Sequence, residues 1–395
     1  GKQGLRIRLT VDTEIQKACG KLLNDRAGSI SVMDIYTGDI AMYSSPSYDP
    51  NKFLFGISND DWALIRNNPL KPLINKTLSG LYSPGSTIKP IVALSALENK
   101  IVSPNFKVKC TGKMELYGQT FHCWKEKGHG FMSLKNAMKQ SCDTYFYEVA
   151  RLLGVDRLDV TAEKFGLGKK VLGDYYDYEK SGLFPNTKWK KNNLGKGWVL
   201  GETLITGIGQ GYTQTTPLQL CLMTAQIANG GYSIKPRIVV NNNPMSLEEA
   251  KSKLQEETLH GQEKKLFKDH KNIKIVQEAM FSSTNELYGT SYKSRIDNPK
   301  YQFAGKTGTA QVKRISMRER ELDLKIEQIP YKDRDHALFV AYGPYVNPRY
   351  ALSIIVEHGG SGSRTAAPIA KELFKLIIDR DKLRNKQKNF EEIDI

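Results

Sequence analysis

The feature that most limits the fold is a change of hydrophobic period along the chain. Near the N-terminus, Leu5-Arg-Ile-Arg-Leu-Thr10 and Gly28-Ser-Ile-Ser-Val-Met-Asp34 alternate as strands with one buried face do, and Tyr36-Thr-Gly-Asp39 supplies a turn before Ile40-Ala-Met-Tyr-Ser44. An amphipathic helix, capped at Asp12-Thr13 and carrying Ile15, Cys19, Leu22 and Leu23, precedes that hairpin. From about Ile91 to Leu287 the apolar residues recur mostly at helical spacing, as in Leu134, Met138 and Cys142 or in Leu218 to Ala228. Strand patterns return in Gln302-Phe-Ala304, Ala337-Leu-Phe-Val-Ala-Tyr342 and Tyr350 to Val356, and a helix over Ala366 to Ile378 closes the chain. A lone hairpin is only marginally stable, so the strands of the two ends are expected to join one sheet. The expectation is an α+β chain with an α/β part over about 1–95 and 290–395 and a mainly helical insert over about 96–289.

With 395 residues, 39% of them hydrophobic and 25% charged, the chain can bury a large core and is neither disordered nor a disulfide-stapled miniprotein. No run approaches the roughly 18 apolar residues that a membrane-spanning helix needs. Gly1-Lys-Gln-Gly-Leu5 has no initiator Met and no signal-peptide pattern, so the chain is expected to be a fragment lacking its start or an upstream anchor. The net charge of +16 favours anionic partners and thickens at Lys188–Lys196, Lys313–Arg320 and Arg380–Lys388. No RNP-like, zinc-finger or helix-turn-helix signature accompanies it, so no nucleic-acid partner is expected. Residues 243–272 and 313–332, rich in polar side chains, read as exposed segments.

Tyr82-Ser-Pro-Gly-Ser86-Thr-Ile-Lys89 places a serine three residues before a lysine where a helix would begin. That spacing stacks both side chains on one face, so a neutral amine could take the hydroxyl proton while the helix N-terminus favours the developing negative charge. Alone, the pattern is unspecific and equally describes a helix cap beside a surface lysine. Two further motifs follow in order. Ser141-Cys-Asp143 comes about 55 residues later, and Lys306-Thr-Gly-Thr309 lies on a strand pattern about 165 residues beyond that.

This order and separation resemble the three-motif active site of the serine acyltransferases that react with penicillin. The likeness extends over nearly the whole chain, through Gly38 to Asn51, Gly207-Ile-Gly-Gln-Gly211, Thr216-Pro217, Gly230, Gly289-Thr290 and Asp335-His-Ala-Leu-Phe-Val340. These segments are similar to the transpeptidase domain of class B penicillin-binding proteins. Glu357-His-Gly-Gly-Ser-Gly362 with Ala366-Ala-Pro-Ile369 resembles the elongation-type branch, the penicillin-binding protein 2 group. The resemblance implies a penicillin-recognising serine transpeptidase or β-lactamase-like fold, an antiparallel sheet flanked by helices with a helical subdomain. It also implies a membrane anchor and pedestal before Gly1, at the periplasmic face of the bacterial inner membrane.

By the same resemblance, Ser86 would be the nucleophile, Lys89 its base, and Ser141 a bridge between Lys89 and Lys306 that relays a proton to the leaving amine. Thr307 and Thr309 would hold the terminal carboxylate of the substrate, Gly308 would leave room for its backbone, and the N–H groups of Ser86 and Thr309 would form the oxyanion hole. The commoner family pattern is Ser-x-Asn. Asp143 cannot donate as an amide does, so it is expected to pair with Lys89 or to serve the acceptor side. The implied reaction is peptidoglycan D,D-transpeptidation, which cross-links stem peptides during cell elongation and is the target of β-lactams. The implied partners are stem peptides, β-lactams, a SEDS-type membrane glycosyltransferase and elongation scaffold proteins. A D,D-carboxypeptidase or β-lactamase-type hydrolase uses the same chemistry, and a β-lactam sensor or inert scaffold keeps the same fold. No Glu-x-x-Leu-Asn segment supplies the second base of a class A β-lactamase.

Cys110, Cys123, His129 and Cys142 form a second constellation, with Cys142 inside the Ser141-Cys-Asp143 motif. Three thiolates and an imidazole make a closed tetrahedral zinc set. A disulfide with one thiol left over, or simply buried thiols, would account for the same residues. Some elongation-type relatives have a metal site at the matching segment, which favours structural Zn²⁺, while acyl transfer itself needs no cofactor. His122 is the only substitute ligand. His336 and His358 read as core or structural residues, Trp124 and Trp198 as packing or cleft-border residues, and Cys19 and Cys221 as core.

Overall fold

The computed structural model of the protein describes residues 4, 7–173, 176–240, 246–255, 258–259, 262–263, 265–313 and 325–391. The two ends of the chain meet in one sheet. β1 (Gly28–Asp34) and β2 (Ile40–Ser45) pair as the expected hairpin, and β1 also pairs along its whole length with the last strand, Tyr350–Val356. Three two-stranded ribbons lie between: β3 (Val108–Cys110) with β6 (Gly130–Met132), β4 (Lys113–Leu116) with β5 (Gln119–His122), and β7 (Thr258–Leu259) with β8 (Gln262–Glu263). β9 (Ala304–Ala310), β10 (His336–Gly343) and β11 (Tyr350–Val356) complete an antiparallel sheet of order β2-β1-β11-β10-β9. β9, carrying Lys306-Thr-Gly-Thr309, is therefore an edge strand.

Period-two alternation on β10 divides two cores. Ala337, Phe339 and Ala341 pack with the N-terminal helix Thr13–Leu23 and the closing helix Ala367–Glu391, while Leu338, Val340 and Tyr342 face the helical part. The helix Pro217–Ala228 lies against β1, β10 and β11 with every residue buried. A helix apolar on all sides must be covered on all sides, and each fully buried Leu or Ile is worth about 1.5 to 3 kcal/mol, so helix and sheet hold each other in place. Thr216 and Gln219 close its N-terminus reciprocally. At the N-terminal helix, Asp12 accepts the N–H groups of Glu14 and Ile15 at 2.9 and 3.1 Å, and Ile15, Cys19 and Leu23 are buried as their spacing demands.

Several expectations change. Leu134, Met138 and Cys142 do not share a helix: the helix Leu134–Lys139 stops, Ser141 turns to φ +54°, and Cys142 caps a new helix, Asp143–Leu153. A left-handed residue cannot continue a right-handed helix. The described residues of 246–272 are not simply exposed, because the helix Leu247–Gln255 buries Ala250 and Leu254, and Phe267 is buried as well. The strand at β9 starts at Ala304 rather than Gln302, and the closing helix runs past Ile378 to Glu391. Leu9 makes only an isolated bridge to Val239, and Leu5 and Arg6 lie outside the described residues, as do residues 243–245 and 314–324. No helix among the described residues is long and apolar enough to cross a membrane.

Candidate active site

Ser86 stands in a 3-10 turn, Gly85–Ile88, and Lys89 opens the helix Lys89–Glu98 that continues it. The turn touches the edge strand through two glycines. A Cβ on Gly85 (φ +53°) would come within 2.4 Å of the Thr309 carbonyl oxygen, and one on Gly308 within 2.6 Å of Thr87 Cγ2 and 3.0 Å of the Pro84 oxygen. Only residues without a Cβ allow this approach, which brings the backbone of Ser86 beside that of Thr309.

Behind the turn, Lys89 and Lys306 are both fully buried. Lys89 Nζ donates to the Ser141 carbonyl at 3.0 Å, to Ser141 Oγ at 3.2 Å and to Asp143 Oδ1 at 2.7 Å. Three donations use all three hydrogens of an ammonium. Lys306 Nζ donates to Ser141 Oγ at 2.8 Å and to the Thr307 carbonyl at 3.0 Å. Burial first, and then the Lys89 charge, push Lys306 well below the ordinary lysine range, with Asp143 pulling weakly the other way. Lys89 is the amine with a carboxylate partner, and Ser141 Oγ lies between the two nitrogens. Of the two places expected for Asp143, the structure shows the pairing with Lys89. Its second oxygen accepts the Trp124 N–H at 3.0 Å.

On the far side of the same loop, the ligand atoms of Cys110, Cys123, His129 and Cys142 all lie within 4.8 Å of one another. All three cysteines are free thiols, which removes the disulfide alternative in this structure. His129 turns Nδ1 to the sulfurs of Cys110 and Cys123 at 3.5 and 3.6 Å, while its Nε2 is buried without a partner. The hydrogen bond from Cys142 holds the Cys123 thiol well below its usual range and raises Cys142 in turn. Burial opposes charge on His129, yet its bonds to Cys123 and Cys110 outweigh that and raise it.

Residues 28–375 match the family model described as "Penicillin binding protein transpeptidase domain". The chain belongs to that family. Among relatives, it is similar to the peptidoglycan D,D-transpeptidase MrdA of Salmonella typhimurium strain SL1344, 36% identical over 380 residues, and to that of Escherichia coli K12, 34% identical over 380 residues. Each alignment covers 95% of this chain but only 59% and 57% of the relative, so the chain spans under three-fifths of the relatives' length. Among solved structures, Pseudomonas aeruginosa PBP2 in complex with WCK 5153 is 38% identical, with TM-score 0.80 over 93% of this chain and 74% of that one. The complex of PBP2 and MreC from Helicobacter pylori is 31% identical, with TM-score 0.79 over 94% and 64%.

Within this penicillin-binding protein transpeptidase domain, some residues have contacts that sequence reasoning did not assign. Trp124, read as a packing or cleft-border residue, also donates its indole N–H to the carbonyls of Gln140 and Ser141 at 3.1 Å, and its adjacency to Cys123 was the signal available. Thr290 pairs with the Thr307 hydroxyl at 2.9 Å. Glu357 accepts the Tyr82 hydroxyl at 2.6 Å, four residues before Ser86 in the chain. His336 accepts the His358 N–H, and burial followed by the His358 charge pushes it down to about 4, in keeping with a structural role. Gln210 Nε2 donates to the Thr309 carbonyl at 2.9 Å across 99 residues of sequence.

Proposed function

We propose that this chain is the catalytic domain of an elongation-type peptidoglycan D,D-transpeptidase in which Ser86 forms the acyl-enzyme. The observation that carries the reading is Ser141 Oγ shared by the amines of Lys306 and of Lys89, the residue that follows the Ser86 turn. Lys89 acts as the base in its neutral form, and the Ser141 hydroxyl, which both amines share, offers a path along which protons pass between them. Ser86 Oγ then attacks the carbonyl of the penultimate D-alanine as its proton moves to Lys89, while the N–H groups of Ser86 and Thr309 hold the oxyanion. The C–N bond breaks, the terminal D-alanine leaves with a proton returned through Ser141, and an amine of a neighbouring stem peptide resolves the ester. Thr307 and Thr309 bind the terminal carboxylate, and Gly308 lets the substrate backbone lie along β9.

In this reading Cys110, Cys123, His129 and Cys142 hold one structural Zn²⁺. A tetrahedral site with Zn–S near 2.3 Å and Zn–N near 2.1 Å has sulfur-to-nitrogen edges of about 3.6 Å, and the two measured here are 3.5 and 3.6 Å. Bound there, the ion supplies a cross-link that fixes the Ser141-Cys142-Asp143 loop, and the acyl transfer needs no cofactor. The division into an α/β part (about 1–95 with 290–395) and a helical insert (about 96–289) belongs to the proposal. So does anchoring at the periplasmic face of the inner membrane. By likeness to the relative solved with MreC, we infer contact with elongation scaffold proteins, and the resemblance to the elongation-type branch alone carries the further proposal of a SEDS-type glycosyltransferase partner.

The test is mass spectrometry after incubation with a β-lactam, with the adduct mapped to a peptide. Labelling at Ser86, lost in Ser86→Ala while the variant stays folded, is expected. A label elsewhere would overturn the reading. With a stem-peptide substrate, cross-linked dimers are expected. Free D-alanine alone would indicate a hydrolase, and an adduct without turnover a sensor.

A further inference from the structure

Among the described residues β9 has β10 on one side only, so its other side presents backbone groups to the Ser86 turn. Residues two apart in a strand turn the same way. Two such carbonyls are each taken by a side-chain donor: Thr307 by Lys306 Nζ at 3.0 Å, and Thr309 by Gln210 Nε2 at 2.9 Å. The first donor belongs to the relay described above. The second belongs to nothing in it.

Gln210 comes from the loop Gly207-Ile-Gly-Gln-Gly211, which is pinned to the nucleophile turn. Gly209 accepts the Gly85 N–H at 2.9 Å, and a Cβ on Gly209 would lie 2.1 Å from the Gly85 oxygen. Gly209 and Gly211 take φ of +72° and +73°, so the loop backbone is held tightly while the Gln210 side chain, half-buried, reaches over to an exposed Thr309. The carboxamide is thus a displaceable cap on a fixed acceptor. Exchanging one hydrogen bond for another changes the free energy little, whereas leaving an acceptor unmet costs more.

We propose that Gln210 is a gate that sets acyl-donor specificity: its carboxamide occupies the Thr309 carbonyl that a peptide laid along β9 must reach with an amide N–H. This deepens the transpeptidase reading and rests on it. A ligand that brings an N–H regains the bond it displaces, as peptides added to a sheet edge do. A ligand whose amide is N-methylated cannot claim the carbonyl and leaves it to Gln210. Side chain and ligand therefore compete for one acceptor.

The experiment measures Ser86 acylation rates for two β-lactams that differ only by N-methylation of the side-chain amide, in the wild-type chain, Gln210→Ala and Gln210→Glu. Glutamate keeps the shape but, ionised, has no hydrogen to donate, so it serves as a second variant should alanine disturb the fold. The ratio of N–H to N-methyl rates is expected to rise about three- to tenfold in both variants, the scale of one hydrogen bond. An unchanged ratio, with both rates moving together, would reduce Gln210 to a structural residue. A ratio that falls would mean that Gln210 helps to bind the amide, and would equally overturn the gate. If the wild-type chain is acylated at Ser86 by neither compound, the transpeptidase reading falls and the gate with it; acylation with an unchanged ratio sinks the gate alone.

Discussion

Two buried polar clusters sit back to back across a single loop, and they are satisfied in different ways. On one side of Ser141-Cys142-Asp143, the lysines, the serine and the aspartate hydrogen-bond one another, and both Asp143 oxygens have a partner. On the other side, the sulfurs and imidazole meet at 3.5 to 3.6 Å and a ring nitrogen is left buried without a partner. Burying a charge is expensive unless it is paired, and the first cluster pairs its polar groups within the protein, while the second gathers three thiols and an imidazole, donor types that can share a cation. One left-handed residue, Ser141, lets neighbouring side chains serve both.

The sharpest way to break the contrast is to empty the first cluster. Lys89→Met should lower the acylation rate by about 10² to 10⁴, the usual contribution of a positioned proton acceptor. Stopped-flow acylation with a chromogenic β-lactam measures it, and a loss below tenfold would assign the base elsewhere. Next comes the second cluster. Cys123→Ser or His129→Ala should lower stability by about 4 kcal/mol where free zinc stands near a thousand times its Kd, and should slow acylation while leaving Ser86 as the labelled residue. Elemental analysis and thermal unfolding check this; protein purified without zinc, or variants as stable as the parent, would leave the thiols without a metal.

A finer test swaps Asp143 for the commoner family residue. Asp143→Asn keeps the shape but loses the carboxylate to which Lys89 Nζ donates at 2.7 Å, so the amine is held less firmly beside Ser141 and acylation should slow by about two- to tenfold. The same stopped-flow assay measures it, and acylation as fast as in the parent would show that Asp143 does not position Lys89. The smallest effect lies outside both clusters, at His336. Unfolded, its imidazole takes a proton near 6.5; folded, only near 4. Between those values the unfolded chain binds more protons, so this contribution to stability is present above about 6.5 and is lost as pH falls towards 4. His336→Gln should flatten that part of the acid-stability curve measured by denaturant titration.

Much of this was legible in linear order. The three motifs and the four metal-type ligands were visible as residue types at informative separations, and the structure brings each set together. The break at Ser141 was not legible, because Leu134, Met138 and Cys142 satisfy helical spacing and nothing local marks Ser141 as left-handed. Gln210, Trp124 and Thr290 were also missed as contacts, since glutamine, tryptophan and threonine have many uses and their partners lie 99, 19 and 17 residues away.

The sequence by itself determined which segments alternate as strands, which bury a helix face, and which side chains could exchange protons or bind a metal, because these depend on residue type and short-range period. Only the tertiary structure decided how two buried lysines differ. Lys89 and Lys306 are chemically identical as letters, but Asp143 lies 2.7 Å from the Lys89 nitrogen, while burial and the neighbouring lysine push Lys306 well below the ordinary lysine range. Protonation in a buried site follows from distances between charges, and those distances exist only once β9 has been laid against the Ser86 turn.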